Sequence, residues 1–351
     1  MSAAEDRNEN VRLLRESAAA VVSPADLKRI RKLRFQEPGF SRETWKEMCD
    51  MGWSALRVPE AQGGSGLGVQ EYCALAEELG RGLVPEPLIS AVTAASALTG
   101  AALSEAISGA RVILPAWQER AGTLDIGGDT TVAGGRANGR KVFITQAAGA
   151  DAFVVAGRDG LALVARDAAG VSLTLEQTQD GGNFGTLTMD NAACTALPGD
   201  LANALDEAAL ATGAYLLGVM DRAFAITLDY MKTRKQFGKA IGSFQALQHR
   251  AADLKIQVAL TRASVEAAAV TLDTSQHPAL RQAAVSRAKA RAAEASMLVT
   301  RQCIQLHGGI GYTDEADIGL FLRKAMVLAN LHGGAALHRA RYAEVAPDDD
   351  E

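Results

Sequence analysis

Lys141-Val142-Phe143-Ile144, Ala152-Phe153-Val154-Val155-Ala156 and Leu161-Ala162-Leu163-Val164 change the period of the chain between residues 141 and 164. Short apolar runs separated by Gly, Asp and Asn are strand signals. The pattern extends back through Val112-Ile113-Leu114, Gly122-Thr123-Leu124-Asp125-Ile126 and Thr130-Thr131-Val132, and forward through 171–175 and 185–189. On both sides the period is helical. Upstream, Ser23-Pro24 supplies an N-cap and an N1 proline, and Ser41 opens a short helix carrying Trp45, Met48 and Cys49 that ends near Gly52. The glycines of 58–68 make a loop, a helix over 70–80 puts Tyr72, Leu75, Ala76 and Leu79 on one face, and another follows over 89–98. Downstream, the spacing predicts helices over 203–233, 243–273, 279–306 and 316–344, alanine-rich enough to pack as a four-helix bundle. The expected chain is α+β: an N-terminal helical domain (1–110), a middle β domain (111–200), a C-terminal helical bundle (201–346) and an acidic tail (347–351).

Composition narrows the function. With 351 residues, 48% hydrophobic and 22% charged, the chain folds around more than one core. A net charge of −5 leaves no global basic field for nucleic acid. The basic run Lys28, Arg29, Arg31, Lys32 and Arg34 alternates with Leu27, Ile30 and Leu33, and reads as a solvated helix face. Four scattered cysteines show neither CxxC nor finger spacing, and the five histidines form no close ligand motif, so no metal is expected. The opening MSAAEDRNEN lacks the apolar core of a secretion signal, and no uninterrupted apolar run reaches membrane-spanning length. Cytoplasmic residence is the expectation. No strand–GxGxxG–helix unit occurs, which disfavours a Rossmann site.

Three ordered blocks carry a family resemblance. The first is Gly52-Trp53 with Val58-Pro59-Glu60, the glycine loop and Glu77-Glu78-Leu79-Gly80-Arg81. The second is Arg234-Lys235-Gln236-Phe237-Gly238-Lys239 with Phe244-Gln245, Gln248-His249 and Ala252-Asp253. The third is Gln305-Leu306-His307-Gly308-Gly309-Ile310-Gly311-Tyr312 with Arg323. From about residue 11 to 346 the chain resembles the acyl-CoA dehydrogenase family. The resemblance implies FAD as cofactor and α,β-dehydrogenation of an acyl-CoA thioester. A carboxylate would take the α-proton, the flavin the β-hydride, and an electron-transfer acceptor protein the electrons. It assigns Arg234, Gln236 and Phe237, together with Gln305, Gly308 and Gly309, to the ADP end of an FAD held mainly by a neighbouring subunit. The residues alone allow plainer readings: cations at a helix C-terminus for Arg234-Lys235, and a C-cap and turn for the glycines.

The pattern also breaks. Where many members carry the catalytic glutamate, this chain has Leu331-His332-Gly333-Gly334. The position used by another branch falls on Ala208, with Glu207 beside it, about 100° away around a helix. His332 and Glu207 are therefore the candidate catalytic residues, against a packed histidine and a helix N-terminal carboxylate. The loop that usually holds the flavin is replaced by Leu114-Pro115-Ala116-Trp117-Gln118-Glu119-Arg120, where Trp117 either fills the pocket or stacks on a cofactor. In Phe143-Ile144-Thr145-Gln146, Thr145 is the residue left to approach the flavin. This uneven survival implies one half of an α2β2 enzyme, with a related chain supplying the base and the main FAD cradle. Relatives of that kind act on steroid side-chain or other bulky CoA thioesters. The alternatives are a self-sufficient homomer using His332 or Glu207, and an inactive assembly subunit.

Overall fold

The computed structural model describes residues 3–346 except Ala20 and Pro24. The expected acidic tail and Pro24 lie outside the described residues, but 25–27 are not helical and the next helix begins only at Lys28, so no helix starts at Ser23-Pro24. Helices come first: α1 (Ala3–Ala18), α2 (Lys28–Leu33), α3 (Arg42–Asp50), α4 (Val69–Arg81), α5 (Leu88–Ala95) and α6 (Gly100–Ile107). Strands follow: β1 (Ile113–Ala116), β2 (Thr131–Ala133), β3 (Arg136–Thr145), β4 (Ala152–Gly157), β5 (Gly160–Ala165), β6 (Val171–Gln177), β7 (Asn183–Ala193) and β8 (Thr195–Leu197). The rest is α7 (Ala202–Thr233), a small hairpin of β9 (Lys235–Gln236) and β10 (Lys239–Ala240), α8 (Gln245–Thr274), α9 (Pro278–His307), α10 (Ile318–Leu328) and α11 (Ala335–Val345). The helical–β–helical order is the α+β arrangement expected from the pattern.

The chain forms two compact units. One comprises Lys28–Tyr72 and Pro85–Ala208. It holds two four-stranded sheets, ordered β1-β4-β5-β8 and β2-β3-β7-β6. β1 runs parallel to β4 and the other pairings are antiparallel. β1 is buried throughout, which explains its unbroken apolar sequence. Its Ile113 packs with Val154, Leu98, Leu103 and Trp117 in one core. Ser41 caps α3 by accepting the Thr44 amide at 3.2 Å. In the glycine loop a Cβ on Gly64 would sit 2.1 Å from the Val58 carbonyl oxygen, so the chain can close there only without a side chain.

Four further expectations need correction. The 122–126 run is not a strand; the connection between β1 and β2 is built of turns and bends. The Glu119 carboxylate draws it round by accepting the amides of Asp129 (2.7 Å) and Thr130 (2.8 Å). The helix expected over 89–98 stops at Ala95, and α6 follows as a separate helix. The basic run is not merely solvated, because Arg29 reaches the fully buried carboxylate of Glu86 at 2.7 Å. The helix expected over 316–344 is two helices, broken at 329–334, where His332 and Gly333 take φ of 55° and 98°.

The other unit comprises the described residues of Met1–Leu27, Cys73–Val84 and Ala209–Glu351. Here α9 packs against α8, α10 and α11, and buried alanines such as Ala284, Ala288, Ala292 and Ala295 let helices approach closely. α4 and α7 approach still more closely. A Cβ on Gly80 would lie 2.1 Å from the Tyr215 carbonyl oxygen, and one on Gly218 would lie 1.9 Å from that of Glu77. Buried Glu77 is clamped by Arg262 through two hydrogen bonds (2.7 and 2.9 Å) and by Arg15 at 3.1 Å. Burial opposes its charge, but the Arg262 hydrogen bond and surrounding guanidiniums hold its pKa below the usual carboxylate value. The Glu77-to-Arg81 block is thus a packing device. Among the described residues α7 alone is long and apolar enough to span a membrane, although no unbroken apolar run announced it; 78% of its most apolar window is buried, as in a core helix.

Candidate functional site

The helical unit presents an open surface where α7 ends. Phe237 and Gly238 form the two-residue turn between β9 and β10, with Lys239 paired to Gln236 and Ala240 to Lys235. Both turn residues have positive φ, 51° and 81°, the geometry that matches hairpin twist. Phenylalanine is an unusual residue for such a turn, and its ring is 93% exposed. The ring meets Phe244 edge-on at 6.3 Å, while the Lys239 ammonium lies 4.4 Å from the Phe244 centroid. Gln236 turns its amide nitrogen onto the Lys235 carbonyl at 2.8 Å. The Arg234 side chain makes no hydrogen bond or ion pair among the described residues.

The glycine turn lies at the same end of this unit. Tyr230, one turn before Arg234, stacks on His307 with centroids 4.4 Å apart and donates to the His307 carbonyl at 3.2 Å. Gln305, Gly308 and Gly309 are exposed. Gly308 ends α9 at φ 66°, so the C-cap reading accounts for it. Gly311 is explained by crowding, since its Cβ would lie 2.6 Å from the Ile304 carbonyl oxygen. Gly309 meets neither demand: its φ is not left-handed and a Cβ there would touch nothing within 4 Å. At one end of this unit the bare backbone of Gly309, the unpaired guanidinium of Arg234 and the exposed Phe237 are groups of the kind that suit the phosphates and adenine of a nucleotide held from outside.

The β-containing unit differs. Trp117 is buried in the core, filling rather than lining a pocket. Lys141 is wholly buried and donates to the Trp117 carbonyl (3.2 Å), the Gly127 carbonyl (2.7 Å) and Glu119 (2.8 Å). Burial alone would raise the Glu119 pKa, but hydrogen bonds from Lys141, Thr130 and the Asp129 amide bring it down to about 2. Thr145 shares a 2.8 Å hydrogen bond with Ser90. The 114–120 segment is therefore occupied by its own side chains and does not fit a flavin cradle. Lys141→Met would leave Glu119 and two carbonyls without their donor and should destabilise this unit by about 3 kcal/mol. Thermal denaturation measures it, and a change within the error of the melt would show the pair to be dispensable. The folded pKa of Glu119 lies below its unfolded value, so its contribution is complete above about pH 4.5 and is lost as pH falls towards 2.

Both candidate bases are engaged by partners within the protein. Glu207 forms a two-pronged ion pair with Arg57, at 2.7 and 2.9 Å, and Arg57 also donates to the Leu67 carbonyl. Its job is to tie α7 to the glycine loop. His332 is buried, with Nδ1 3.1 Å from the Thr212 hydroxyl. Burial, reinforced by Lys289 and His338, pushes its pKa down to about 3, so the ring stays neutral. Sequence reasoning missed Lys289, whose mid-helix position gives no hint of its burial.

Residues 8–106 match the acyl-CoA dehydrogenase N-terminal domain and residues 200–346 the acyl-CoA dehydrogenase C-terminal domain. The chain is 32% identical over 338 residues to acyl-CoA dehydrogenase IpdE2 of Mycolicibacterium smegmatis, covering 94% of each. Among solved structures, the Tcur3481-Tcur3483 steroid ACAD G363A variant aligns with a TM-score of 0.86 at 29% identity, covering 98% of each chain. The ChsE4-ChsE5 complex from Mycobacterium tuberculosis aligns with a TM-score of 0.85 at 28% identity, covering 98% of this chain and 97% of the other.

Proposed function

Because the chain belongs to the acyl-CoA dehydrogenase family, whose members are FAD-dependent, we propose that it is the base-lacking subunit of a heteromeric enzyme oxidising bulky, steroid-derived acyl-CoA thioesters. A related chain supplies the catalytic carboxylate and the main flavin cradle. This chain contributes Arg234, Gln236 and Phe237 of the hairpin, and Gln305, Gly308 and Gly309 of the turn, to the ADP end of that FAD. Thr145 stays with Ser90, and neither Glu207 nor His332 serves as base. In this reading the domains run over 1–110, 111–200 and 201–346, the assembly is α2β2, and the enzyme works in the cytoplasm with an electron-transfer acceptor protein.

The observation behind this reading is a contrast within one chain: the Phe237 hairpin is open and cationic, while Trp117 and the Lys141–Glu119 pair fill the 114–120 segment. The steroid ACAD and the two-chain complex among the similar structures support the substrate class and the partner. When bound, the flavin accepts the β-hydride. This chain's part is to orient the cofactor: Arg234 offers a fork of donors to phosphate oxygens, Gly309 admits close backbone approach, and Phe237 covers an apolar face.

Co-expression with a related acyl-CoA dehydrogenase chain, followed by flavin absorbance and native mass measurement, tests the division of labour. The chain alone should purify without flavin, and the pair should form a mixed tetramer that holds flavin and turns over. Stoichiometric FAD with turnover in the isolated chain would overturn it.

A further inference from the structure

The break between α10 and α11 encloses a charged cluster that the cofactor role does not use. Lys289, in the middle of α9, is fully buried. Its ammonium donates to the carbonyls of Gly333 (2.8 Å), Ala329 (3.0 Å) and Leu328 (3.5 Å). An ammonium has three protons, and here they meet three acceptors. The last carbonyls of α10 lack partners within their own helix, so Lys289 caps α10 from across the bundle, at the negative end of its dipole.

His338 closes the same turn from α11. Its Nε2 lies 2.8 Å from the His332 carbonyl, so that nitrogen carries the proton, and Nδ1 faces the Ser286 hydroxyl at 3.3 Å. His332 sits at φ 55° with its ring against Thr212 of α7. Both imidazoles are buried and neutral; His338 engages both ring nitrogens and His332 engages Nδ1.

The charges facing these rings share one sign. His332 faces Lys289 and His338; His338 faces Lys289 and Arg341. α7 contributes the uncharged Thr212, and α9 contributes Lys289 and Ser286. Glu294 of α9 is engaged with Arg339 at an exposed pair, and no carboxylate among the described residues acts on either imidazole. A proton added to either histidine therefore meets buried positive charge with nothing to neutralise it.

We infer that Lys289, His332 and His338 form an acid-sensitive latch on the turn joining α10 to α11, closed at neutral pH and released by histidine protonation. This holds whichever chain supplies the catalytic base. Burial pushes the histidine pKa values down to about 3 for His332 and about 4 for His338. Their values in the closed turn lie below the free value of 6.5, so the closed state is fully favoured above pH 6.5 and loses ground as pH falls. Each histidine raises the opening constant up to about tenfold per pH unit, until the closed-state pKa values are reached. Lys289, pushed down to about 7 by burial, is charged in both states below that pH and adds nothing to the slope.

Hydrogen exchange of the full chain, corrected for intrinsic rates and compared at about pH 6.5 and about pH 5.5, both below the Lys289 value, reads the latch directly. Amides over 329–338 should lose about tenfold or more of their protection at the lower pH, while α8 keeps its own. The His332→Asn/His338→Gln variant keeps an αL-tolerant residue at 332 and a donor at 338, and should hold its protection at both pH values. Imidazole NMR on the wild-type chain gives an independent measure, with His338 titrating well below 6.5. Unchanged wild-type protection, equal loss in α8, equal loss in the variant, or a His338 titration near 6.5 would overturn the latch.

Discussion

Replacing Arg234 and Phe237 by alanine in the proposed two-chain complex should lower its affinity for FAD by roughly a hundredfold and leave the thermal midpoint of the isolated chain unchanged. The two readouts separate because of where the side chains stand. Phe237 is 93% exposed, and Arg234 holds no side-chain partner among the described residues, so their removal costs the fold nothing. A charge-assisted pair with a phosphate contributes about 2 kcal/mol and the covering ring about 1 kcal/mol, which together give that hundredfold. Equilibrium flavin titration of the pair measures the first readout and a melt of the isolated chain the second. Wild-type affinity would remove the hairpin from the cofactor site. A large drop in the midpoint would make it a structural element.

Gly218→Val has the largest expected effect on stability, about 3 kcal/mol or more, with the thermal midpoint falling by about 10 °C. The added Cβ would sit 1.9 Å from the Glu77 carbonyl oxygen and 2.9 Å from the Arg81 amide nitrogen. Both obstacles are backbone, so no rotamer change relieves them. Pushing α4 away from α7 also loosens the buried Glu77–Arg262 clamp, whose carboxylate cannot be left unpaired cheaply. Gly213→Ala on the same helix is the control: its Cβ would lie 3.5 Å from that of Ala292, an ordinary contact, and alanine favours helix. Equal melts for the two variants would refute the close approach.

Much of the local structure around the candidate site was legible because its signals are local. The end of a helix just before Arg234-Lys235 was read from the sequence, and α7 does stop at Thr233; the hairpin that follows, with Phe237 in its turn, was not. Gly308 ends α9 where a glycine beyond a helical run says it should. The misreadings share a different cause. The 122–126 run has strand composition, but the Glu119 carboxylate claims the Asp129 and Thr130 amides and bends the segment into turns. Helical spacing continues through 329–334, yet a lysine 40 residues upstream holds the chain out of the helix there. Glu207 looks available until its partner appears 150 residues away.

By itself the sequence determined the order of helical and β segments, the two glycine-dependent turns, and the residues that resemble a neighbour's cofactor contacts. Periodicity, capping and turn chemistry act over a few residues, and a linear pattern carries them in full. Only the tertiary structure decided which polar groups are spent on the protein itself. Lys141 and Glu119 neutralise each other beside Trp117, Arg57 occupies Glu207, and Lys289 seals His332 behind the end of α10. A side chain's chemistry is written in its identity, but its availability depends on burial and on partners brought together from distant parts of the chain.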